Sequence, residues 1–328
     1  MNFIAKMGVE KAVSSALFEK IALETFSHQH QSNPVYRSYC DLLNIDPSEV
    51  NALTKIPFLP IDFFKQKAVK SFEEPEACIF TSSGTTGQNP SRHFVRSLDH
   101  YEVSFERCFE KFYGPVEDYV ILALLPSYLE REGSSLVYMA HRLIEKTKQP
   151  QSGFYLDNLE ELHQQLLSLE AEGKKTLLLG VSFALLDFAE RYPLTLSHTV
   201  VMETGGMKGR RKELIRAELH DKLMKGFGVK QIHSEYGMTE LMSQAYATEN
   251  GLYSCPNWMK VLAREVSDPF RILPPERNGL LNIIDLANWN SCAFIATDDL
   301  GRVYQDGRFE VMGRLDHSAI RGCNLMVY

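Results

Sequence analysis

The chain has 328 residues and a formal net charge of −7, with 44% hydrophobic and 23% charged residues. These values are ordinary for a soluble globular protein built from one large domain or two modest ones. The acidic balance argues against a general nucleic-acid-binding surface, although it allows a local basic pocket for phosphates.

Neither a membrane span nor a secretory leader is predicted. No apolar run approaches the roughly 20 residues that a membrane-spanning helix needs. Charged residues between Lys6 and Lys20 interrupt any signal-peptide core, so a cytoplasmic location is expected. The six cysteines form no CxxC pair, and free thiols are expected: Cys40, Cys78, Cys108, Cys255, Cys292 and Cys323.

The first two thirds of the chain alternate between helical spacing and short apolar runs. In chain order, the pattern predicts helices at 12–29 and 35–43, strands at 78–80 and 94–95, a helix at 100–112, a strand at 120–125, helices at 135–146 and 159–169, strands at 176–180 and 199–202, and a helix at 212–225. Residues 56–64 are apolar but contain prolines, which predicts an extended segment. Asp99 is expected to cap the third helix. The alternation indicates an α/β fold with parallel strands.

The pattern changes from Leu252 onward. Strand-like runs at 261–266, 279–284 and 293–297 follow one another with turns between them. This predicts a smaller β-rich subdomain within the same body.

The strongest local signal is a loop at residues 81–90, in which seven of ten residues are Gly, Ser or Thr. Glycines let the backbone approach a phosphate, and hydroxyl groups donate hydrogen bonds to phosphate oxygens. The Gly-Lys-Ser/Thr of a Walker loop is absent. A phosphate-binding loop of another kind and a plain flexible turn both fit this composition.

Three further segments carry polar groups after apolar runs. Residues 234–240 (Ser-Glu-Tyr-Gly-Met-Thr-Glu) offer an aromatic ring for a base, a hydroxyl for a phosphate and a carboxylate for magnesium. They also fit a strand-to-helix turn with an exposed acid. Residues 297–301 contain two aspartates that fit ribose hydroxyls or a hairpin turn. Residues 313–316 (Gly-Arg-Leu-Asp) fit a solvated turn equally well.

The order and spacing of these four segments resemble the adenylate-forming superfamily of acyl-CoA synthetases, luciferases and peptide-synthetase adenylation domains. The resemblance covers residues 81–316. Two positions depart from the usual pattern: Asp298 stands where the family usually has Gly, and Ser91-Arg92 replaces the usual Lys after the loop proline.

Within that superfamily, the sequence is most similar to acyl-protein synthetases of the LuxE type, relatives of phenylacetate–CoA ligases. The resemblance rests on residues 56–65, residues 203–210 and the ending 321–325 (Arg-Gly-Cys-Asn-Leu). Members transfer a fatty acyl group from acyl-AMP to a cysteine near their own C-terminus and lack most of the mobile C-terminal lid. The resemblance implies an adenylate-forming domain at 1–312 and a short tail at 313–328 in place of the lid. It leaves open which group supplies the positive charge of the lid lysine.

The resemblance also implies roles for individual residues. ATP and Mg²⁺ would be the cofactors, and coenzyme A is an alternative acyl acceptor. The implied site residues are Ser82, Ser83, Gly84, Thr85, Thr86 and Gly87 around the ATP phosphates, Gly205 and Gly206 beside adenine and the acyl group, Tyr236 on adenine, Thr239 at the α-phosphate, Glu240 on magnesium, Asp299 on the ribose, Arg314 at the ribose or phosphate, and Cys323 as the acyl acceptor.

Three functions are compatible with the sequence. The first is an acyl-protein synthetase that activates a carboxylic acid, with a fatty acid expected, and loads it on Cys323 for a reductase partner. The second is an acid–CoA ligase, and the third is a non-catalytic nucleotide- or acyl-binding protein. By position alone Cys323 could be an inert tail thiol, whereas the family resemblance makes it the nucleophile; Arg321 could then help to lower its pKa.

Overall fold

A computed structural model describes residues 14–82, 89–125, 133–156, 158–205 and 214–315. The helices in these ranges are α1 (Ser15–Ser32), α2 (Pro34–Leu42), α3 (Phe63–Gln66), α4 (Leu98–Tyr113), α5 (Ser135–Thr147), α6 (Leu159–Ala171), α7 (Ser182–Arg191) and α8 (Arg216–Phe227). The strands are β1 (Leu59–Pro60), β2 (Cys78–Thr81), β3 (Arg92–Val95), β4 (Val120–Leu124), β5 (Gly153–Tyr155), β6 (Thr176–Val181), β7 (Thr199–Thr204), β8 (His233–Tyr236), β9 (Ala245–Ala247), β10 (Tyr253–Ser254), β11 (Met259–Arg264), β12 (Asn278–Asp285), β13 (Phe294–Val303) and β14 (Phe309–Arg314). Short 3₁₀ turns lie at Pro47–Glu49, Leu53–Lys55 and Val116–Asp118.

One mixed sheet of 12 strands organises the described residues, in the order β11-β12-β13-β14-β10-β9-β8-β7-β6-β4-β5, with β1 pairing with β13. Following this order, neighbouring strands from β5 to β8 pair in parallel. Neighbouring strands from β8 through β9, β10, β14, β13 and β12 to β11 pair antiparallel. Strands β2 and β3 form a separate antiparallel pair. The predicted α/β fold with parallel strands is confirmed.

The parallel strands are the most apolar part of the sheet. Every residue of β4 and β6 is buried. Strands of a parallel sheet are covered by helices on both faces, and they therefore read as continuous hydrophobic runs rather than alternating ones. Helix α5 contacts β4, and helix α7 contacts β6 and β7.

The predicted β-rich region is present as β10–β14, and it continues the same sheet. Strand β10 pairs with β9 on one side and with β14 on the other. The two halves of the sheet therefore meet at β8, β9 and β10.

The N-terminal helices pack against the far half of the sheet. Gln29 Nε2 donates to the carbonyl oxygen of Asn288 at 2.9 Å, and Gln29 Oε1 accepts from Ala293 N at 2.9 Å. Asn33 Nδ2 donates to the Ser291 carbonyl at 3.1 Å, while Asn33 Oδ1 caps α2. These contacts hold the loop between β12 and β13 in place.

Several local predictions were wrong. The extended segment predicted at 56–64 turns into α3 at Phe63, after the second proline. Asp99 lies in the first turn of α4 and does not cap it, because that helix begins after Ser97. A turn was one of the interpretations for the acidic segment 297–301 and for Gly313-Arg314, and that one is wrong, because these residues lie inside the strands β13 and β14.

Other predictions concern the ends of elements and domains. Helix α8 begins at Arg216, while residues 206–213 and 316–328 lie outside the described part of the chain. Strand β14 runs across the predicted boundary at residue 312, and the division into domain and tail stays a prediction. Among the described helices, none combines the length and the apolar character needed to cross a membrane.

Candidate active site

A cavity of about 450 Å³ opens at the carboxyl ends of β7 and β8. In open α/β sheets, ligands bind at this edge, where the direction of the strand connections changes. Every described residue of the predicted site lies on its wall: Ser82, Gly205, Tyr236, Thr239, Glu240, Asp299 and Arg314.

Asp299 and Tyr236 form the hydrogen-bonded pair on one side of the cavity. Tyr236 Oη donates to Asp299 Oδ2 at 2.7 Å, and Arg314 Nε lies 3.8 Å from Asp299 Oδ1. Asp299 and Arg314 are cross-strand partners of β13 and β14, which explains their contact. Burial and the Asp299 charge raise the pKa of Tyr236 well above its usual value, so the phenol keeps its proton and donates.

Glu240 places a carboxylate in the same cavity. Its residue exposure is 4%, and Ser91 hydrogen bonds to its side chain. Burial raises the pKa of Glu240, while the positive charges of Arg314 and Lys65 oppose that shift. Lys65 also lines the cavity, and its Nζ lies 2.7 Å from Asp62 Oδ1. An acid and two cations therefore line the same cavity.

The two ends of the glycine-rich loop are joined at its base. Ser91 N donates to Ser82 Oγ at 2.9 Å, and Ser82 N donates to the Ser91 carbonyl oxygen at 3.0 Å. Because Ser91 also bonds to Glu240, the base of the loop is fixed beside the buried carboxylate.

Two buried side chains support the segment that carries Thr239 and Glu240. His93 Nδ1 lies 2.8 Å from the Thr239 carbonyl oxygen, and His93 Nε2 lies 3.1 Å from Asn288 Oδ1. Asn288 Nδ2 donates to the Glu240 carbonyl oxygen at 2.7 Å. Burial lowers the pKa of His93 to about 4, so its ring is neutral near pH 7. These groups position the backbone of the segment and do not line the cavity.

Asp285 fixes the chain immediately after Glu240. Its Oδ2 accepts from Met242 N at 2.8 Å and Ser243 N at 3.0 Å, and its Oδ1 accepts from Ser243 Oγ at 2.6 Å. Burial raises the pKa of Asp285 to about 6, against the lowering effect of these hydrogen bonds. The turn between β8 and β9 is therefore held from both ends.

The opposite side of the cavity carries a second buried carboxyl group. Thr204 Oγ1 donates to Glu235 Oε2 at 2.5 Å. A side chain at Gly237 would place its Cβ 2.4 Å from Glu235 Oε1, so the Glu235 carboxyl group occupies the space beside this glycine. Burial, with the neighbouring Glu203 charge, raises the pKa of Glu235 to about 7, although the Thr204 hydrogen bond opposes the shift.

Some predicted site residues lie outside the described residues: Ser83, Gly84, Thr85, Thr86, Gly87, Gly206 and Cys323. The other five cysteines are described, and burial raises the pKa of each thiol: Cys40, Cys78, Cys108, Cys255 and Cys292. A raised thiol pKa leaves little of the nucleophilic thiolate near neutral pH.

The donor set fits a magnesium ion that binds together with a nucleotide. Within the described residues, no group of three or more His, Cys, Asp or Glu side chains could hold a metal by itself. Mg²⁺ is commonly bound by one or two carboxylates, substrate phosphates and water. Glu240 offers one such hard oxygen ligand inside the cavity.

Several residues of this site were missed in the sequence. Lys65 and Glu235 stand inside segments 56–65 and 234–240, which the sequence already singles out, and membership of those segments is the signal that points to them. His93 and Asn288 are 195 positions apart, and no local pattern predicts that they meet.

A family model described as "Acyl-protein synthetase, LuxE" matches residues 7–108 and 138–328 of the chain. Two curated proteins, both named long-chain-fatty-acid–luciferin-component ligase, are similar over 94% of this chain and 86% of their own length. The protein from Aliivibrio fischeri is 24% identical over 338 residues. The protein from Vibrio harveyi is 23% identical over 343 residues.

Solved structures share the fold. A 2-hydroxyisobutyryl-CoA ligase in the postadenylation state, in complex with 2-HIB-AMP, aligns with a TM-score of 0.69 and 12% identity, over 92% of this chain and 68% of that one. ATP-bound MatB from Rhodopseudomonas palustris aligns with a TM-score of 0.54 and 16% identity, over 74% of this chain and 49% of that one. The aligned part thus spans about half the length of MatB.

Proposed function

This chain belongs to the LuxE family of acyl-protein synthetases and is an acyl-adenylate-forming ligase, and we propose that it joins a carboxylic acid to the AMP part of ATP in the cavity at the ends of β7 and β8. One observation carries the proposal. Tyr236, Asp299 and Arg314 on one side, and Thr239 and Glu240 beside them, line a single cavity.

In the proposed reaction, a carboxylate oxygen of the acid attacks the α-phosphorus of ATP. The bond between the α-phosphorus and the bridging oxygen breaks, and pyrophosphate leaves with its electron pair. The product is a mixed anhydride whose AMP group is a good leaving group. The reaction requires that phosphate charge is screened while an anion approaches, so fixed positive groups and donors in a partly enclosed site contribute most.

The residues have separate roles in this scheme. Asp299 accepts hydrogen bonds from the ribose hydroxyls, and Tyr236 both packs on adenine and orients Asp299. Thr239 donates to the α-phosphate, and Arg314 approaches the ribose or the phosphate. Mg²⁺, when bound with ATP at Glu240, supplies charge neutralisation for the phosphates.

Lys65 is the cation that we assign to the adenylation centre. It lies on the cavity wall, and its charge opposes the rise in the pKa of Glu240 that burial causes. Its ammonium group would approach the phosphate that Thr239 contacts. This supplies the positive charge that larger superfamily members receive from their lid.

The proposed second step moves the acyl group to Cys323. The thiolate attacks the acyl carbonyl carbon, AMP leaves, and the thiol proton goes to solvent. The five described thiols have raised pKa values, which favours the sixth as the acceptor. Fatty acids are the first class to test, because the similar curated proteins are named for them. An acyl reductase is the partner class that would then remove the acyl group.

Mass spectrometry of the intact protein tests the acceptor. After incubation with ATP, Mg²⁺ and the preferred acid, we expect a hydroxylamine-labile acyl adduct that is lost in Cys323→Ser. That variant should still release pyrophosphate, since the adenylation groups lie elsewhere. Cys78→Ser is the matched control and should keep the adduct.

Two results would contradict the acceptor assignment. One is an adduct that persists in Cys323→Ser or maps to another cysteine. The other is a parent protein that carries no adduct yet forms acyl-CoA rapidly once coenzyme A is added, which would make the protein an acid–CoA ligase.

A further inference from the structure

Helix α5 begins on the wall of the cavity. Ser134, Ser135 and Leu136 all line the cavity, and the helix runs from Ser135 to Thr147. The first turn of a helix leaves N–H groups without acceptors inside the helix, and the helix dipole adds partial positive charge there. The cavity therefore includes a helix end of the kind that suits an anion.

The cap of α5 satisfies only part of its first turn. Ser134 Oγ accepts from Val137 N at 3.3 Å, and the Ser134 carbonyl oxygen accepts from Tyr138 N at 3.1 Å. The N–H groups of Ser135 and Leu136 have no hydrogen-bond acceptor among the described residues. Two backbone donors at the cavity are therefore available to a bound molecule.

The hydroxyl group of Ser135 is a third donor at the same place. The residue is 8% exposed and lines the cavity. Its Oγ has no hydrogen-bond partner in the described part of the chain, and it is not among the unpartnered polar atoms there that are closed off from solvent. The oxygen therefore keeps accessible surface on the cavity. Buried polar side chains normally have partners, so this hydroxyl group indicates a ligand at the helix start.

Two hydrogen bonds fix the start of α5 beside the glycine-rich loop. Thr81 N donates to the Gly133 carbonyl oxygen at 2.8 Å, which joins the residue before the cap to the end of β2, where that loop begins. Tyr101 Oη donates to the Ser135 carbonyl oxygen at 3.3 Å and holds the first turn against α4. The three donors therefore lie beside the loop that the proposed function places at the ATP phosphates.

Apolar side chains follow these donors along α5. Leu136 and Met139 line the cavity and are three residues apart, so they share one face of the helix, and Met139 lies one turn beyond Ser135. An anionic head group with a hydrocarbon chain fits this order of groups, whereas a phosphate has no chain to place there. Glu235 also lines the cavity, but burial raises its pKa to about 7, so it does not carry a full negative charge near neutral pH.

We propose that the start of α5 binds the carboxylate of the acid, which accepts from the Ser135 hydroxyl group and from the N–H groups of Ser135 and Leu136. The inference rests on the proposed function and adds a binding group for its acid. A carboxylate has about four acceptor sites, so three donors leave a lone pair for the attack on phosphorus. The hydrocarbon chain extends along Met139, and the held carboxylate faces the α-phosphate, which lowers the entropic cost of the attack.

Binding of octanoate and of 1-octanol tests the carboxylate contact, because the two molecules share a chain and differ in the head group. Calorimetry is done with α,β-methylene-ATP present, which cannot release pyrophosphate. In Ser135→Ala, the Kd of octanoate should rise about tenfold, the effect of losing one hydrogen bond to a charged group. The Kd of 1-octanol should not change. Ser135→Thr keeps the hydroxyl group and should bind octanoate as the parent does.

A second variant removes a backbone donor as well. Ser135→Pro lacks both the hydroxyl group and the N–H of residue 135, so the Kd of octanoate should rise further than in Ser135→Ala. Proline suits the first helical position, and Ser134 has the extended backbone that a residue before proline adopts. Ser168→Ala, which changes an exposed serine of α6, is the matched control and should bind both molecules as the parent does.

Exchange of labelled pyrophosphate into ATP separates the acid from the nucleotide. In Ser135→Ala, KM for octanoate should rise about tenfold, and KM for ATP should stay the same. A rise in KM for ATP alone would overturn the inference, because the helix start would then bind a phosphate. Unchanged octanoate binding in both Ser135→Ala and Ser135→Pro, or an equal loss of 1-octanol binding, would also overturn it. Octanoate binding that depends on Ser135, in a parent that exchanges no label with any acid, would support the carboxylate site and overturn the proposed adenylation.

Discussion

At the residue scale, Asp299 of β13 contacts residues of two other strands on the cavity wall. Its carboxylate meets Tyr236 Oη at 2.7 Å and Arg314 Nε at 3.8 Å. The sequence suggested a turn there because residues 297–301 combine aspartates with a glycine. In the structure the strand continues through these residues, and a Cβ on Gly301 would lie 2.3 Å from the Glu310 carbonyl oxygen. That glycine permits a close approach of two strands at a β-bulge.

Replacing Asp299 tests its proposed contact with the ribose. Asp299→Ala should weaken ATP binding by roughly 1–3 kcal/mol, because the ribose hydroxyls lose their acceptors. Isothermal calorimetry with ATP and Mg²⁺ measures the change. Asp306→Ala, which removes an exposed carboxylate paired with Arg308, should bind ATP as the parent does. An unchanged ATP affinity in Asp299→Ala would show that this residue does not contact the ribose.

Glu235 should make stability depend on pH. The pKa of a free glutamate is 4.5, and burial raises that of Glu235 to about 7 in the folded chain. The folded state therefore holds the proton more tightly, and its stabilising contribution is present below pH 4.5 and lost as the pH rises through 7. The loss is up to about 3 kcal/mol, at about 1.4 kcal/mol per pKa unit.

Urea denaturation at pH 5 and pH 8 checks this contribution. The free energy of unfolding of the parent, relative to that of Glu235→Gln, should be lower at pH 8 than at pH 5. Glu203→Gln is a contrast, since the pKa of Glu203 is lowered below 4.5 despite its burial, with His220 and Arg216 favouring the charged form, and its own contribution is therefore lost only as the pH falls below that value, outside this range. If the difference in free energy of unfolding between the parent and Glu235→Gln does not change with pH, Glu235 has an ordinary pKa.

At the scale of elements, the site depends on short segments between strands. The turn after β8 is held by Asn288 and Asp285, and the loop that carries Asn288 is held by Gln29 of α1. Helix α3 brings Lys65 to the cavity. The prolines at 57 and 60 correctly indicate an extended start, but they say nothing about the helical turn that begins at Phe63. These contacts join residues far apart in sequence, which local patterns do not predict.

The role assigned to Lys65 is tested by removing its charge. Lys65→Met should slow adenylation by roughly tenfold or more, because a fixed cation near developing phosphate charge stabilises the transition state. Acid-dependent pyrophosphate exchange under saturating ATP measures the effect. Lys67→Met, an exposed residue just after the same helix, should exchange at the parent rate. Equal exchange rates for the two variants would show that Lys65 is not the cation of the adenylation centre.

At the scale of the whole molecule, the apolar runs were sufficient to predict parallel strands and the α/β class. They were not sufficient to predict the order of strands, because β14 pairs with both β13 and β10 although β10 precedes it by more than 50 residues. The cavity forms where these distant strands meet. The motifs that carried the family resemblance named Tyr236, Glu240 and Asp299, while their supporting residues became visible only in the fold.

The central claim is that the cavity forms an acyl-adenylate, and exchange of labelled pyrophosphate into ATP tests it most directly. The parent should incorporate label only when a suitable acid and Mg²⁺ are both present. Glu240→Gln should exchange at least roughly tenfold more slowly over a magnesium titration, because it loses a hard anionic oxygen ligand. Glu203→Gln should remain close to the parent. A parent that exchanges no label with any acid, or a Glu240→Gln variant that matches the parent at every magnesium concentration, would contradict this account.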